Sequence, residues 1–333
     1  MAHGLAQGAP WPGAVAVSGG GDSIALMLLL AEWAASSSLA PPIVLTVDHG
    51  LQKGSAHAAR HVVKAARQMG LAAHALAWRG VKPEADIEAQ ARIARYSLMG
   101  EWCSRHDLRG LYVAHSQDDQ AETFVLRLAR GSGLDGLAAM RPLAPYPVPG
   151  FDHLRVVRPL LGFAREDLRA YLRGRGAEWL EDAMNSDPRF ARARLRQAWP
   201  ILTELGLTAA RIAAASRHLA RARDALEDAT LQFLDEACRF EVERIVLDGS
   251  RFVCVAPEVG LRALAHVLSH VSGEAYRPRF ERLERLFALI REGGPTSART
   301  LHGCRIGRVA KKQAIFGPQT LVVTREKGRP RRP

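Results

Sequence analysis

Two short stretches of this 333-residue chain carry side chains able to do chemistry. The first is Ser18-Gly19-Gly20-Gly21-Asp22-Ser23, between the apolar run Gly13–Ser18 and a buried-helix pattern from Ser23 to Ala35. A glycine turn between strand and helix gathers backbone N–H groups at a positive dipole end, which suits phosphate. Glycines let the backbone approach a ligand closely, and Ser18 and Ser23 add hydroxyl donors. Asp22 would repel a bare phosphate, so its presence implies a bridging Mg²⁺. No Lys follows the glycines, which excludes a Walker A loop, and Ser23-Ile24 interrupts a G-x-G-x-x-G pattern. The plainer alternative is a turn with an Asp/Ser helix cap; the strand–turn–helix context favours phosphate.

The second stretch runs from His115 to Thr123, after the strand-like Gly110–His115. Asp119 and Glu122 are three apart and share one face at a helix start. His115 ends the strand, where its side chain can point into the same crevice. Two carboxylates there can bind Mg²⁺ or an ammonium group. Acidic capping of a helix N-terminus accounts for Asp118, and less well for the whole group.

Elements must bring these stretches together. Gly13–Ser18, Pro42–Gly50, Ala72–Trp78, Gly110–His115 and Leu154–Leu161 read as strands. Helical patterns lie between them, at Ser23–Ala35, Gly54–Met69, Pro83–His106 and Gln117–Arg130. Such alternation implies βαβ units and a doubly wound, five-stranded parallel sheet. Ligands of such sheets bind beyond the carboxyl ends of the strands, where both stretches fall. After about Pro200 the pattern changes: Leu207–Arg239, Val259–Val271 and Arg279–Arg291 look helical, Ile245–Pro257 extended, and Thr300–Val323 holds short β-like runs. The expected organisation is a catalytic domain over 1–200, a mainly helical domain over 205–325 and a basic tail over 326–333.

A net charge of +12 and a pI near 10.2 favour a polyanionic partner such as nucleic acid. The four cysteines form no CxxC pair, so neither a metal clip nor a disulfide scaffold is expected. No apolar run reaches the roughly 20 residues of a membrane span, and the N-terminus lacks a secretory pattern. A soluble, cytoplasmic chain is the expectation.

The loop SGGGDS resembles the SGGxDS signature of the PP-loop ATP pyrophosphatases, which implies an adenine-nucleotide alpha-hydrolase-like fold and use of ATP. Ala114–Met140, AHSQDDQAETFVLRLARGSGLDGLAAM, resembles the AHxxDDxxET…RGxGxxGLxxM block of the tRNA(Ile)-lysidine synthetases. Ala91–Tyr96 is similar to that family's ARxxRY helix, Arg158–Leu161 to its RPLL strand, Glu181–Asn185 to its D-x-x-N segment, and Phe190–Arg196 to its RNRxR helix. Two positions depart from the family: Ala193 stands for the usual Asn, and Asp48 for the Asn of VNHGL. The resemblance is strong over residues 13–200 and weak over 205–320.

The resemblance implies a carbon–nitrogen ligase. It would adenylate the wobble cytidine of an isoleucine tRNA with a CAU anticodon, and free L-lysine would then displace AMP. It places ATP on Ser18, Gly19, Gly20, Gly21, Asp22 and Ser23, and Mg²⁺ on Asp22. It gives catalytic work to Asp22, Arg95, His115, Asp119 and Glu122. Arg192, Arg194 and Arg196 are candidates for tRNA backbone contacts, with Arg211, Arg217, Arg221 and Arg223 as a further basic helix. The alternative is another PP-loop enzyme, a tRNA thiolase or a small-molecule amide-forming synthetase. The cysteine spacing speaks against the thiolase, and the net charge together with Ala114–Met140 against the synthetase.

Overall fold

The computed structural model describes residues 8–51, 54–80, 82–83, 86–180, 191–274, 276–309, 312 and 314–326. The Glu181–Asn185 segment, Phe190 and the basic tail from Lys327 onward lie outside them. Two compact units form, up to Ala220 and from Arg221.

The first unit opens with β1 (Ala14–Ala16), α1 (Gly21–Ser36), β2 (Ile43–Asp48), α2 (Ser55–Gln68) and β3 (Ala73–Ala77). It continues with α3 (Ile87–Arg105), β4 (Gly110–Tyr112), α4 (Gln117–Leu128), α5 (Leu134–Leu137), β5 (Leu143–Pro145) and β6 (Arg155–Val157). Helices α6 (Arg165–Gly174) and α7 (Ala191–Glu204) follow. Six strands lie in the order β3-β2-β1-β4-β6-β5. All pairs are parallel except β5 with β6, which is antiparallel. The five anticipated strands are thus present, and β5 is an addition at the sheet edge. Its Pro145 lacks a backbone donor, which an edge strand tolerates.

Strand order explains the site. The chain runs outward from β1 to β2 and β3, then returns to lay β4 on the other side of β1. The crevice of a parallel sheet opens at such a reversal, between the carboxyl ends of the two strands. The turn after β1 and the helix start after β4 therefore share it.

Helix α1 is the rigid mount of the glycine turn. Ile24, Leu26, Met27 and Leu30 are buried on it, and it packs on α6 and β1. Each such side chain stabilises the unit by about 1.5–3 kcal/mol. At the entry to the sheet, a Cβ on Gly13 would lie 2.5 Å from the Tyr112 ring. Only glycine lets β1 pass there.

Helix α8 (Ala209–Ala237) spans the divide between the units. The second unit then comprises β7 (Cys238–Phe240), β8 (Arg244–Asp248), α9 (Gly249–Cys254), α10 (Pro257–Ser272), α11 (Phe280–Arg291), β9 (Arg299–Leu301), β10 (Cys304–Arg308) and β11 (Thr320–Arg325). Helices carry most of its ordered residues, as anticipated, and its strands form an antiparallel sheet in the order β7-β8-β11-β10-β9. Leu247, Phe252, Leu264, Leu268, Ile290 and Val323 lie in its core. The run expected to be extended from Ile245 to Pro257 turns helical at Gly249. Asp248 ends the strand and its carboxylate accepts from the Ser250 amide at 3.0 Å, capping α9. A local cap overrides the β-branched pattern there.

Candidate active site

The glycine turn is held by its own serines. Ser23 Oγ donates to the Gly20 carbonyl at 2.8 Å and accepts from the Ser18 amide at 3.2 Å. Gly19 has φ +96°, a region costly for any other residue, and its carbonyl accepts from the Leu180 amide at 2.9 Å. A cavity of about 440 Å³ is lined by His61, Ala177, Glu178, Trp179 and Leu180; its link to the turn is the Leu180 amide bonded to Gly19. That volume falls within the range of small-molecule sites.

Asp22 stands in the first turn of α1. Its Oδ2 accepts from Arg165 Nε at 3.1 Å. The same guanidinium reaches Asp119 Oδ1 at 3.2 Å and Glu122 Oε1 at 3.5 Å. One arginine at the start of α6 therefore joins the phosphate loop to the acidic helix. The sequence reading missed Arg165. Its signal was position: it opens the helix after the RPLL strand, at the carboxyl end of β6.

Backbone contacts fix Arg165 in place. Its amide donates to Asp118 Oδ2 at 2.7 Å, and the Gln117 amide donates to the Phe163 carbonyl at 2.9 Å. Asp118 thus caps α6 rather than its own helix. Asp119 closes a capping box on α4, accepting from the Ser116 amide at 2.9 Å and from Ser116 Oγ at 3.1 Å. The rest of the Ala114–Met140 block braces α4. Gln120 and Met140 exchange two hydrogen bonds, at 2.9 and 2.8 Å, and Arg127 donates to the Gly136 carbonyl at 2.8 Å. A Cβ on Gly136 would sit 2.6 Å from that of Ser132. Packing thus requires the glycine at 136, whereas Gly131 has open space around it and is required by its φ of +73°.

The basic residues of α7 divide by helical phase. Arg196 grips Glu122 through two nitrogens, at 2.7 and 3.3 Å. Arg192, one turn away, contributes to the field at His115 and Asp119. Arg194 is exposed, and Ala193 is buried. Arg95 is half-buried on α3. Arg223, in the second unit, is buried against Asp224 at 2.9 Å, which removes it from the exposed basic face. Asp48 accepts from the Gly50 amide at 3.2 Å and from Ser55 Oγ, so its carboxylate fastens the turn into α2.

Burial and charge set the protonation states. Burial raises the Asp22 carboxyl; Arg165 opposes this, and the Asp119 and Asp118 charges add to the rise. Burial also acts to raise Asp119, but Arg165, His115 and the Ser116 amide outweigh it and hold its pKa below the ordinary value. His115 is pushed down to about 3 by burial, with Arg158, Arg92 and Arg192 adding to the effect against Asp119. Its imidazole is neutral near pH 7, and its buried Nδ1 has no hydrogen-bond partner among the described residues. The Arg165 guanidinium is raised, because its three carboxylates outweigh burial.

These features define a nucleotide-binding α/β protein with the glycine turn of a PP-loop, and residues 12–202 match the model of the PP-loop domain. The chain is 40% identical to a tRNA(Ile)-lysidine synthase of Ruegeria pomeroyi over 80% of its own length and 62% of the relative's. It is 36% identical to that of Wolbachia pipientis over 91% of its length and 70% of the relative's. With that of Bradyrhizobium sp. it shares 37% identity, over 86% and 83%. The chain belongs to the tRNA(Ile)-lysidine synthase family. It spans just under two thirds of the Ruegeria protein. A U34-tRNA thiolase of Methanococcus maripaludis shares the fold, at 15% identity and a TM-score of 0.50, over 62% of this chain and 72% of that one. Among the described residues no helix is long and apolar enough to cross a membrane.

Proposed function

We propose that the chain ligates L-lysine to the wobble cytidine of an isoleucine tRNA with a CAU anticodon, through an adenylated cytidine, with release of pyrophosphate and AMP. One observation carries this reading: Arg165 draws Asp22 of the phosphate loop and Asp119 and Glu122 of the acidic helix into one crevice. A triphosphate and an amine can meet there. Family membership supplies the substrates.

The chemistry follows from a poor leaving group. The ring-2 oxygen of cytidine departs badly as it stands and well as an AMP ester. The turn from Ser18 to Ser23 holds the departing pyrophosphate with amide and hydroxyl donors. Asp22 is a hard oxygen donor in the first turn of α1 and fits Mg²⁺, which commonly takes one or two carboxylates together with phosphates. Among the described residues no ready-made cluster of three ligating side chains exists, so the fit rests on Asp22 and the phosphates. Mg²⁺, when bound, neutralises charge on the β- and γ-phosphates. Arg95 steadies charge on the α-phosphate or on the nucleobase.

Asp119 and Glu122 hold the lysine ammonium. Carboxylates favour the charged amine, whereas attack needs the neutral one, so a proton must leave. Asp119, with its lowered pKa, is a weak acceptor. His115 is neutral and its Nδ1 has no partner among the described residues, but burial holds it down to about 3, so either group becomes an acceptor only once negative charge arriving on the nucleotide raises its basicity. Arg192, Arg194 and Arg196 lie on α7, and the unstacked cytidine of a single-stranded loop reaches the crevice more readily than a paired base.

The test is incubation with tRNA, ATP and labelled lysine, then nucleoside analysis. Label on a cytidine is the expected result. ATP–pyrophosphate exchange without tRNA, or no label on tRNA, would overturn the reading.

A further inference from the structure

We infer that a basic groove at the β3 edge of the first unit is a second RNA-binding site, one that grips backbone phosphates away from the reacting cytidine. The groove is larger than the cavity beside the phosphate loop, about 940 Å³. Arg60, Lys64 and Arg67 line one wall, His74 on β3 the other, and Trp102 of α3 the floor. Residues 60, 64 and 67 recur at i, i+4 and i+7, so α2 presents them in one row. Its opposite face, Ala59, Val62 and Ala66, is buried. The row is therefore fixed by the packing of α2, not by chance exposure.

Charge identifies the occupant. Arg60, Lys64 and Arg67 are exposed, and none has a carboxylate partner among the described residues. The sequence contains no Asp or Glu from His49 to Pro83. Surface cations are ordinarily interspersed with acids, and a stretch of this length without one is a positive field. Three cations along one helix row match a phosphate backbone, whose charges are neutralised by Lys and Arg with release of counterions. The floor is aromatic: Trp102 stacks on His106 at 3.8 Å and lies 4.9 Å from His74. Trp102 is buried with His106 on one face, so the aromatic lining holds the shape of the groove and the cations supply its affinity for phosphates. β3 lies two strands from β1, about 10 Å at ordinary strand spacing.

The inference rests on tRNA being the substrate, and the experiment separates the two claims. tRNA binding to the full chain is measured by fluorescence anisotropy across salt concentrations, for the parent and for Arg60→Gln/Lys64→Gln/Arg67→Gln. The triple variant is expected to bind about tenfold or more weakly at 0.15 M salt, with a log–log salt slope lower by about two to three. Arg60→Lys/Arg67→Lys is expected to bind as the parent does. A parent that binds tRNA beside a folded triple variant with unchanged affinity and slope overturns the groove and leaves the proposed function standing. A parent that binds no tRNA overturns both. Should the triple variant melt early, Lys64→Cys carrying a photo-crosslinker serves instead: crosslinking to tRNA is expected, and its absence sinks the proposal.

Discussion

Arg165 and Asp22 lie 143 residues apart in the chain, yet their side chains meet at 3.1 Å. The same arginine touches Asp119 and Glu122, and Arg196 also grips Glu122, so two cations face three carboxylates in a crevice that water reaches only partly. Removing one partner from such a cluster leaves uncompensated charge, which costs more than the pair contributes.

Arg165→Met is therefore expected to destabilise the first unit by about 3 kcal/mol and to abolish lysine transfer. Arg165→Lys keeps the charge, but a single ammonium cannot span three carboxylates as a planar guanidinium does. Its stability should fall between the two. Urea unfolding of the three proteins checks the order; equal midpoints would show that the cluster carries no strain of charge.

Asp22→Ala, Asp119→Ala and Glu122→Ala should each reduce lysine incorporation by about a hundredfold or more while tRNA binding persists. Single-turnover assays alongside tRNA-binding isotherms make the comparison. Near-normal turnover in all three variants would remove these residues from the site.

Arg196 and Arg194 are two residues apart and should behave differently. Arg196→Ala breaks a two-pronged contact to buried Glu122 and is expected to lower turnover sharply. Arg194 is exposed, so Arg194→Ala should weaken tRNA binding modestly and leave single-turnover rates at saturating tRNA intact. Identical effects of the two changes would contradict the helical phase described above.

His115 predicts a pH effect. Its folded pKa, about 3, lies below the ordinary 6.5, so below pH 6.5 the unfolded chain takes up a proton that the folded one refuses. Stability from this group is full above pH 6.5 and declines as pH falls toward 3. His115→Asn should flatten that decline, read as melting temperature at pH 7.5 and 5. A slope unchanged by the substitution would place the acid sensitivity elsewhere.

Much of the scaffold was legible because local periodicity reports burial. The five parallel strands read as apolar runs and α1 as a buried helix, since each pattern needs only neighbouring residues. Strand β5 was hidden by Pro145, which argues against a strand unless the strand is an edge. The sheet of the second unit was visible only as short β-like runs. Its pairs, such as β8 with β11, join segments far apart in the chain, and no local pattern encodes them.

The chain's own order of residues determined that a glycine turn and an acidic helix start would each stand at the carboxyl end of a strand. A spacing of three residues also fixed that Asp119 and Glu122 share a face. Tertiary structure alone decided that β4 lies beside β1, and hence that these two places share a crevice. It alone brought Arg165 and Arg196 to the carboxylates. The reason is physical: helix and strand periods follow from bonds a few residues long, whereas ion pairs across 143 residues exist only after the core has packed and set the strands in order.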